Sequence, residues 1–432
     1  MQVLIATTPA EGHVNPMVPV ARELVDRGHE VRWYAGQAFQ EKIDKTGARY
    51  EPMRAAYDFS GMSREKAFPH HAGLTGIAGM TTGFKDVFLG PAIDQMTDVL
   101  ELLDEFPADV MVTDETVFGA GLASERTGIP LAWIVTSVCT FSSRDTAPFG
   151  SGLRPSSSPL GRARNTLLRF PMNSLVMRDL RRYADVVRAR AGLPRIAKGP
   201  FENIVNPPDL YLMSTVPSFE YPRSDMLSQT HFLGPLVDPP PERFDPPAWW
   251  DELDGARPVV HVTQGTIAND ADRLLVPAIR ALAGEDVLVV VTTGIPLQKL
   301  RLGPLPRNAR LERFVPYYHL LPRVDVVVTN GGYGGVNMAL AYGVPLVVAP
   351  STEEKHEVAA RVAWTGAGIH LKRRALSEAG IRKAVTTVLH APCYRERAQA
   401  LRDECRRYDA PRLAANLIEQ LTKTGRRRLT PH

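Results

Sequence analysis

The sequence predicts an α/β protein made of two doubly wound, Rossmann-like domains that face a cleft. Short runs rich in Val, Ile and Leu alternate with amphipathic helical patterns through most of the chain. The runs lack polar alternation, which is typical of strands buried on both faces of a parallel sheet. With 432 residues, the chain is long enough for about two domains of ordinary size.

The predicted strands divide evenly between the two halves of the chain. They span residues 3–6, 30–35, 110–113, 131–136 and 210–213, then 259–263, 287–292, 311–314, 324–329 and 346–349. Helices are predicted between them, for example over 16–27 before Gly28 and over 334–342 before Gly343. Glycine just after the last turn is a common helix stop. This alternation predicts doubly wound sheets.

A proline-rich stretch separates the two halves. Seven prolines lie between positions 235 and 258, and proline suppresses regular structure. Ligands favour the cleft that forms between two such domains. We therefore predict a first domain over residues 1–233, a linker over 234–257, a second domain over 258–408 and a last segment over 409–432.

Composition excludes several classes of protein. The formal net charge is +4, which does not by itself indicate a nucleic-acid partner. The three cysteines lack the spacing of a disulfide framework or a metal site. The N-terminus resembles a first strand rather than a signal peptide, and no apolar run approaches the ~20 residues of a membrane span. A cytoplasmic protein is expected, and its oligomeric state is open, a homodimer being one option.

The charge is unevenly distributed. Residues 144–198 carry twelve basic side chains against three acidic ones. They predict either a solvated helical face or a docking surface for an acidic, phosphorylated or membrane-associated acceptor.

The loop after the first strand contains a candidate catalytic histidine. Residues 11–16 read EGHVNP, and His13 lies where ligands bind an open parallel sheet, beyond the carboxyl end of a strand. Imidazole accepts a proton readily near neutral pH. The alternative is a histidine that makes only a local hydrogen bond at a helix start. The loop is not a Gly-x-Gly-x-x-Gly fingerprint, which disfavours a nicotinamide or flavin oxidoreductase.

A candidate partner for His13 follows the strand at 110–113. A buried Asp114 at this position would accept a hydrogen bond from the imidazole and stabilise the imidazolium. Asp is also a favoured N-cap residue, so Asp114 could instead begin the helix predicted over 117–126. Glu115 is a neighbouring competitor.

A glycine-rich turn opens a helix in the second half. Residues 329–335 read TNGGYGG. Glycine lets backbone N–H groups approach a ligand closely, and a helix N-terminus favours an anion such as a diphosphate. The alternative is a tight strand-to-helix turn without a ligand.

Several motifs together resemble the GT-B-fold, nucleotide-sugar-dependent glycosyltransferases, most closely the bacterial enzymes that glycosylate antibiotics and other natural products. The turn at 329–335 stands between Phe314-Val315-Pro316 and Gly343-Val344-Pro345, and Glu354 follows. The loop at 11–16 is similar to the same family's catalytic-histidine loop. The resemblance covers essentially the whole chain, with the order of the motifs preserved.

The resemblance implies an inverting, metal-independent hexosyltransferase that moves a sugar from a UDP- or dTDP-sugar to a hydroxyl of a small natural-product acceptor. The first domain would bind the acceptor, the second would bind the sugar nucleotide, and the last helix would cross back to the first domain. His13 would be the general base and Asp114 its orienting partner. No cofactor or metal is implied beyond the nucleotide sugar. The implied donor-binding residues are Thr266, Phe314, Val315, Asn330, Gly331, Gly332, Gly334, Gly335, Glu354 and Lys355.

Three positions depart from the family pattern. Asn330 occupies the place of a phosphate-contacting His, so binding would depend more on backbone amides. Lys355 follows Glu354 where Gln often helps to select glucose, which puts a glucose donor in doubt. Phe314 replaces a Trp that stacks on the base of the nucleotide.

Acceptor specificity is assigned to two stretches that fit the β–α alternation poorly, 55–90 and 141–200. Their aromatic and apolar residues suit a flat hydrophobic acceptor, and His70 and Phe141 are the candidate contacts. His70 and His71 are interpreted as pocket or surface residues because the sequence offers no evident third metal ligand. The alternatives to a transferase are another GT-B-like sugar-nucleotide enzyme, such as an epimerase or hydrolase, and a non-catalytic sugar-nucleotide-binding helper.

Overall fold

A computed structural model of the protein describes residues 1–71, 73–74, 76–199, 201–237, 244–265, 271–294, 303–350, 353–372 and 375–424. Within these ranges the strands form two sheets, each parallel throughout. The predicted α/β class with two Rossmann-like sheets is confirmed.

The first sheet has seven strands in the order β3-β2-β1-β4-β5-β6-β7. These are β1 Gln2–Ala6, β2 Glu30–Ala35, β3 Arg49–Pro52, β4 Val110–Asp114, β5 Leu131–Val135, β6 Leu210–Met213 and β7 Thr230–Phe232. The second sheet has six strands in the order β10-β9-β8-β11-β12-β13. These are β8 Val259–Thr263, β9 Leu288–Thr292, β10 Ala309–Glu312, β11 Val326–Thr329, β12 Leu346–Val348 and β13 Gly368–His370.

Helices cover both faces of the two sheets. In the first half they are α1 Glu11–Val14, α2 Met17–Asp26, α3 Gln40–Asp44, α4 Arg64–Ala67, α5 Gly76–Phe84, α6 Ala92–Glu105, α7 Phe118–Thr127, α8 Pro159–Pro171 and α9 Arg178–Arg190. In the second half they are α10 Leu275–Leu282, α11 Tyr317–Leu320, α12 Tyr333–Ala341, α13 Glu353–Thr365, α14 Glu378–His390, α15 Pro392–Cys405 and α16 Ala410–Thr424. None of the described helices is both long and apolar enough to cross a membrane.

The core follows from the alternation of side chains along each buried strand. In β1, Val3 and Ile5 pack into one apolar cluster, whereas Leu4 and Ala6 pack into another on the opposite face of the sheet. A strand buried on both faces needs an uninterrupted apolar run, which is the pattern that the sequence shows.

Three of the four edge strands in the described sheets, β3, β7 and β13, were not predicted. Each pairs on one side alone and is only partly buried, so neither an apolar run nor a strict alternation marks it. The strand predicted at 311–314 was wrong at both ends. It begins at Ala309 and ends at Glu312, because the chain turns away before Phe314, which is 70% exposed.

The last helix, α16, packs against α2 on the first sheet's side of the molecule. Ala414 and Ile418 are buried in the same cluster as Val3 and Ile5. The Arg27 guanidinium also pairs with Glu419 at 3.2 Å.

The basic stretch at 144–198 contains α8 and α9, and part of its charge is internal. Arg188 is 1% exposed and binds both carboxylate oxygens of Glu125 at 2.9 Å. Arg162 pairs with the buried Asp145 at 2.8 Å. The interpretation of a solvated helical face is therefore wrong for Arg188, whereas the Arg162 side chain is 37% exposed.

Candidate active site

His13 lies at the carboxyl end of β1, in the single-turn helix α1. Its Nδ1 atom is 3.1 Å from Oδ1 of Asp114, and its side chain is 19% exposed. Among the described residues, Nε2 makes no hydrogen bond. The ring is thus held at one nitrogen, and the other is available to a ligand.

Asp114 is the last residue of β4, the strand that lies beside β1. It is fully buried and accepts the backbone N–H of Thr8 at 2.7 Å and the Thr116 hydroxyl at 2.5 Å. Helix α7 begins only at Phe118, and its N-cap position makes no side-chain hydrogen bond. The alternative of Asp114 as an N-cap residue was therefore wrong, and its carboxylate faces His13 instead.

Opposite charges bias the protonation of both groups. Burial by itself lowers the pKa of His13, but the Asp114 carboxylate, aided by Glu115 and Glu354, raises it above its ordinary value. Burial by itself raises the pKa of Asp114, but the His13 imidazole and the Thr116 hydroxyl bring it below its ordinary value. Asp114 is thus ionised at neutral pH and stabilises an imidazolium at His13.

Three polar side chains join this pair, and the sequence analysis assigned no role to two of them. Thr116 Oγ1 lies 3.4 Å and Thr136 Oγ1 3.3 Å from His13 Nδ1. Glu115, named only as a competitor to Asp114, accepts the backbone N–H of Thr136 at 2.9 Å. Thr136 directly follows β5, and polar residues after neighbouring parallel strands meet at one edge of the sheet. That rule is the signal that could have identified Thr136.

Aromatic side chains from the irregular stretch at 55–90 lie beside His13. The Phe88 ring centroid is 6.0 Å from that of His13, and Phe84 contacts Phe88 at 5.6 Å and Phe201 at 4.8 Å. Phe141 contacts Tyr211 at 5.0 Å, is stacked on Trp133, and lines two surface cavities. Apolar surface for an acceptor is therefore present next to His13.

His70 is exposed and lies in a short 3-10 turn, Pro69–His71. Its Nε2 is 2.7 Å from Oδ2 of Asp86, and His71 Nε2 is 3.0 Å from the same oxygen. The sequence offers no evident third metal ligand for the two histidines, but the fold supplies a candidate, because the ligand atoms of His70, His71 and Asp86 lie within 4.8 Å of one another. Asp86 lies 16 residues after His70 and 15 residues after His71 in the chain, and the fold brings its carboxylate into contact with both.

The glycine turn predicted for the diphosphate lies at the carboxyl end of β11. Gly331 has φ +88°, and a Cβ there would lie 2.8 Å from Val348 Cγ1, so that only glycine fits. A Cβ at Gly332 or Gly334 would meet nothing within 4 Å, and one at Gly335 would make an ordinary van der Waals contact with Tyr317 at 3.9 Å. Helix α12 begins here without a side-chain cap. Because no side chain caps this helix start, its first N–H groups are candidates for an anion site.

Asn330 lies beside this turn but is only 3% exposed. Its amide Nδ2 donates to the carbonyl oxygen of Gln264 at 2.5 Å, which ties the end of β11 to the end of β8. Thr266 lies outside the described residues.

The remaining predicted donor residues differ in their exposure. Phe314 is exposed, whereas Val315 is buried at 1% and anchors the chain before α11. Glu354 is exposed near the start of α13, and the backbone of Lys355 packs against the Gly331 turn. The charge of Glu354 helps to raise the pKa of His13, so a carboxylate from the second half of the chain acts on the histidine.

Known proteins resemble this chain over almost its full length. Residues 278–421 match the family model of the C-terminal domain of erythromycin biosynthesis protein CIII-like proteins. The chain is 68% identical to 4'-demethylrebeccamycin synthase of Lentzea aerocolonigenes, over 97% of this chain and 99% of that protein. It is 32% identical to UDP-glycosyltransferase 2 of Phaeomoniella chlamydospora, over 97% and 95% of the two chains.

Solved structures show the same fold. The glycosyltransferase of kitacinnamycin aligns with a TM-score of 0.74 at 24% identity, over 97% of this chain and 98% of that one. The glycosyltransferase VinC in complex with dTDP aligns with a TM-score of 0.70 at 20% identity, over 98% and 100%. With the histidine–carboxylate pair on one side of a cleft and an uncapped glycine-rich helix start on the other, the chain belongs to the GT-B-fold glycosyltransferases of antibiotic and other natural-product biosynthesis.

Proposed function

We propose that the protein is an inverting glycosyltransferase that moves a sugar from a UDP- or dTDP-sugar to a hydroxyl of a small, hydrophobic natural-product acceptor. The observation that carries this proposal is the His13–Asp114 pair, with its 3.1 Å separation and its position at the edge of the first sheet. The name of the 68% identical relative, 4'-demethylrebeccamycin synthase, supports a natural-product acceptor.

In the proposed reaction, His13 Nε2 takes the proton of the acceptor hydroxyl. The acceptor oxygen forms a bond to the anomeric carbon as the bond from that carbon to the diphosphate oxygen breaks. The electron pair of the broken bond leaves with the nucleoside diphosphate, and the configuration inverts. Asp114 holds the hydrogen on Nδ1 and stabilises the imidazolium that forms.

The leaving diphosphate is assigned to the start of α12. The N–H groups of Gly334 and Gly335 and the positive end of the helix dipole would stabilise its charge. Phe314 would stack on the nucleobase of the donor, and Val315 would form backbone hydrogen bonds to the edge of that nucleobase. Glu354 would bind sugar hydroxyls. These amides supply the electrophilic stabilisation, so the proposed reaction needs no metal. Activity should accordingly survive excess EDTA.

The acceptor is assigned to the apolar surface beside His13. Phe88 and Phe84 offer ring faces there, and a flat hydrophobic molecule would bury apolar area against them. The acceptor from which the relative makes 4'-demethylrebeccamycin is the first compound to test. A preference for small, very polar acceptors in a substrate screen would refute this assignment. The cytoplasmic location stays a prediction of the sequence.

A thermal-shift panel of UDP, dTDP and NAD tests the donor site first. A ligand that binds the folded state raises the melting temperature by mass action. We expect UDP or dTDP to stabilise the protein and NAD to have no effect. A shift with NAD alone would contradict the donor assignment.

The His13→Ala variant then tests the chemistry. It should keep the nucleotide-induced thermal shift and lose transfer to the acceptor. Wild-type activity in this variant would overturn the proposed mechanism.

The wild-type protein distinguishes the alternative functions. Sugar epimerisation, or release of free sugar without transfer, would favour an epimerase or hydrolase instead. A nucleotide shift with no turnover in the presence of any acceptor would favour a non-catalytic helper.

A further inference from the structure

A second carboxylate is buried beside the catalytic pair, and the proposed reaction leaves it without a role. Glu115 is 7% exposed and directly follows Asp114 in the chain. Burying an acidic side chain is costly unless its oxygens are hydrogen-bonded. The partner of Glu115 is Thr136, whose backbone N–H donates to Oε2 at 2.9 Å and whose hydroxyl is 3.2 Å from both carboxylate oxygens.

Thr136 also faces the catalytic histidine. Its Oγ1 atom is 3.3 Å from His13 Nδ1, the nitrogen that contacts Asp114. Thr116 Oγ1 lies 3.4 Å from the same nitrogen, and its hydroxyl donates to Asp114. His13 Nδ1 therefore faces two carboxylates, one directly and one through a hydroxyl.

The Thr136 hydroxyl has a single hydrogen, so the series of hydrogen bonds from Glu115 through Thr136 to His13 has a direction. When Thr136 donates this hydrogen to an ionised Glu115, only the lone pairs of its Oγ1 atom face His13 Nδ1. Those lone pairs favour an Nδ1 that carries hydrogen, which leaves Nε2 free to accept a proton.

We propose that Glu115 is a positioning residue for the transfer reaction, which acts through the Thr136 hydroxyl to hold His13 in the tautomer with hydrogen on Nδ1. This inference rests on the proposed role of His13 as general base. It adds to the His13–Asp114 pair a relay that reaches the end of a third strand, β5.

The relay makes activity depend on a second ionisation. Burial and the neighbouring Asp114 charge raise the pKa of Glu115 to about 7, against the opposing effect of His13. Glu115 also interacts with Tyr211 on β6 and Tyr333 on α12, and burial raises the pKa of each tyrosine far above neutrality. Both His13 and Glu115 must therefore lose a proton as pH rises into the active range. The acid limb of the kcat/KM profile should be steeper than a single ionisation produces.

The Glu115→Gln variant tests the relay. The Gln amide oxygen can still accept the Thr136 N–H, but its NH2 group would donate to Oγ1 and reverse the direction of this series of hydrogen bonds. We expect kcat to fall by about tenfold to a hundredfold, at or below the lower end of the roughly 10²–10⁴-fold that a positioned acid or base contributes, because Glu115 acts on the base only indirectly. The thermal shift with UDP or dTDP should be kept. The acid limb of the kcat/KM profile should then follow a single ionisation instead of two. It should also move to lower pH, because removal of a negative charge lowers the pKa of His13.

Two variants of Thr136 provide a matched pair. Thr136→Val removes the hydroxyl at nearly constant volume and should reproduce the loss of kcat and the shallower limb. Thr136→Ser keeps the hydroxyl and should restore the steep limb. If Glu115→Gln fails to fold, this pair decides the question, and identical profiles for the two variants would overturn the inference.

The His13→Ala variant separates the two proposals. If it transfers sugar at the wild-type rate, the proposed function itself fails. If it is inactive but Glu115→Gln keeps the wild-type kcat and the steep limb, the relay is wrong and the general base stands.

Discussion

The guanidinium of Arg361 on α13 donates to the carboxylate of Glu220 at 2.6 Å, and both side chains are 1% exposed. Arg361 also pairs with Glu357, which accepts the backbone N–H groups of Gly150 and Gly152 from the first half of the chain. A buried ionic network thus joins the two halves close to the cleft.

Replacing Arg361 should strongly destabilise the protein. Arg361→Met would remove the Arg361 charge from the buried Glu357 and, among the described residues, leave Glu220 with only Arg223, at 3.9 Å. Breaking a buried pair in this way costs about 3–5 kcal/mol. Denaturant unfolding measures the loss. Arg323→Met is the control, because Arg323 pairs with Asp254 at the surface and such pairs contribute about 0–1 kcal/mol. Equal losses in the two variants would contradict a structural role for the buried network.

Asp114→Asn should nearly abolish transfer. An Asn amide would donate toward His13 Nδ1 and favour the wrong tautomer, an effect of ~10⁴ in kcat in the serine-protease triad. Loss of the negative charge also lowers the pKa of His13, so the acid limb of the residual activity should move to lower pH. Steady-state kinetics across pH measures both effects. A wild-type profile would show that Asp114 does not interact with the base.

Asp98→Asn provides a matched contrast to Asp114→Asn. Asp98 is also a buried carboxylate, and it accepts the Tyr34 hydroxyl at 2.7 Å and the N–H groups of Ala55 and Ala56. A buried group that loses its hydrogen bonds costs about 1–3 kcal/mol. We expect a lower melting temperature with the acid limb unchanged. A shifted acid limb would mean that Asp98 acts on the base.

Two glycines of the α12 turn should respond differently to the same substitution. Gly331→Ala places a methyl group 2.8 Å from Val348 Cγ1 at φ +88° and should cost about 1–3 kcal/mol of stability. Gly334→Ala meets nothing within 4 Å at a helical position and should keep or slightly raise the melting temperature. Its methyl group would nevertheless enter the space assigned to the diphosphate, so nucleotide affinity should fall. Calorimetric titration with UDP and dTDP checks this, and unchanged affinity in Gly334→Ala would contradict the donor assignment.

The Asp86 contacts should influence acceptor binding. Asp86 holds His70 and His71 and lies two residues before Phe88, whose ring is beside His13. Asp86→Ala releases both histidines and should raise the KM for the acceptor severalfold, while the UDP or dTDP shift stays at the wild-type size. His70→Ala, at an exposed ring, is the milder control. An unchanged acceptor KM in Asp86→Ala would separate this cluster from the acceptor site.

The sequence by itself determined the fold class, because strands buried on both faces must be apolar without interruption. The strands predicted at 30–35, 210–213 and 259–263 have the same ends in the structure. It also pointed to His13 and Asp114, since both follow predicted strands at the edge where ligands bind. Edge strands such as β3 escaped prediction because a strand paired on one side needs no continuous apolar run.

Only the tertiary structure decided what these residues contact. Asp114 could have capped a helix, and the position of α7 and the neighbouring order of β1 and β4 direct it to His13 instead. Thr136 lies 123 residues from His13 in the chain and reaches it because β5 lies beside β4. Local sequence encodes the ends of strands, whereas the order of strands in a sheet is a property of the whole packed domain, and that order assembles the site.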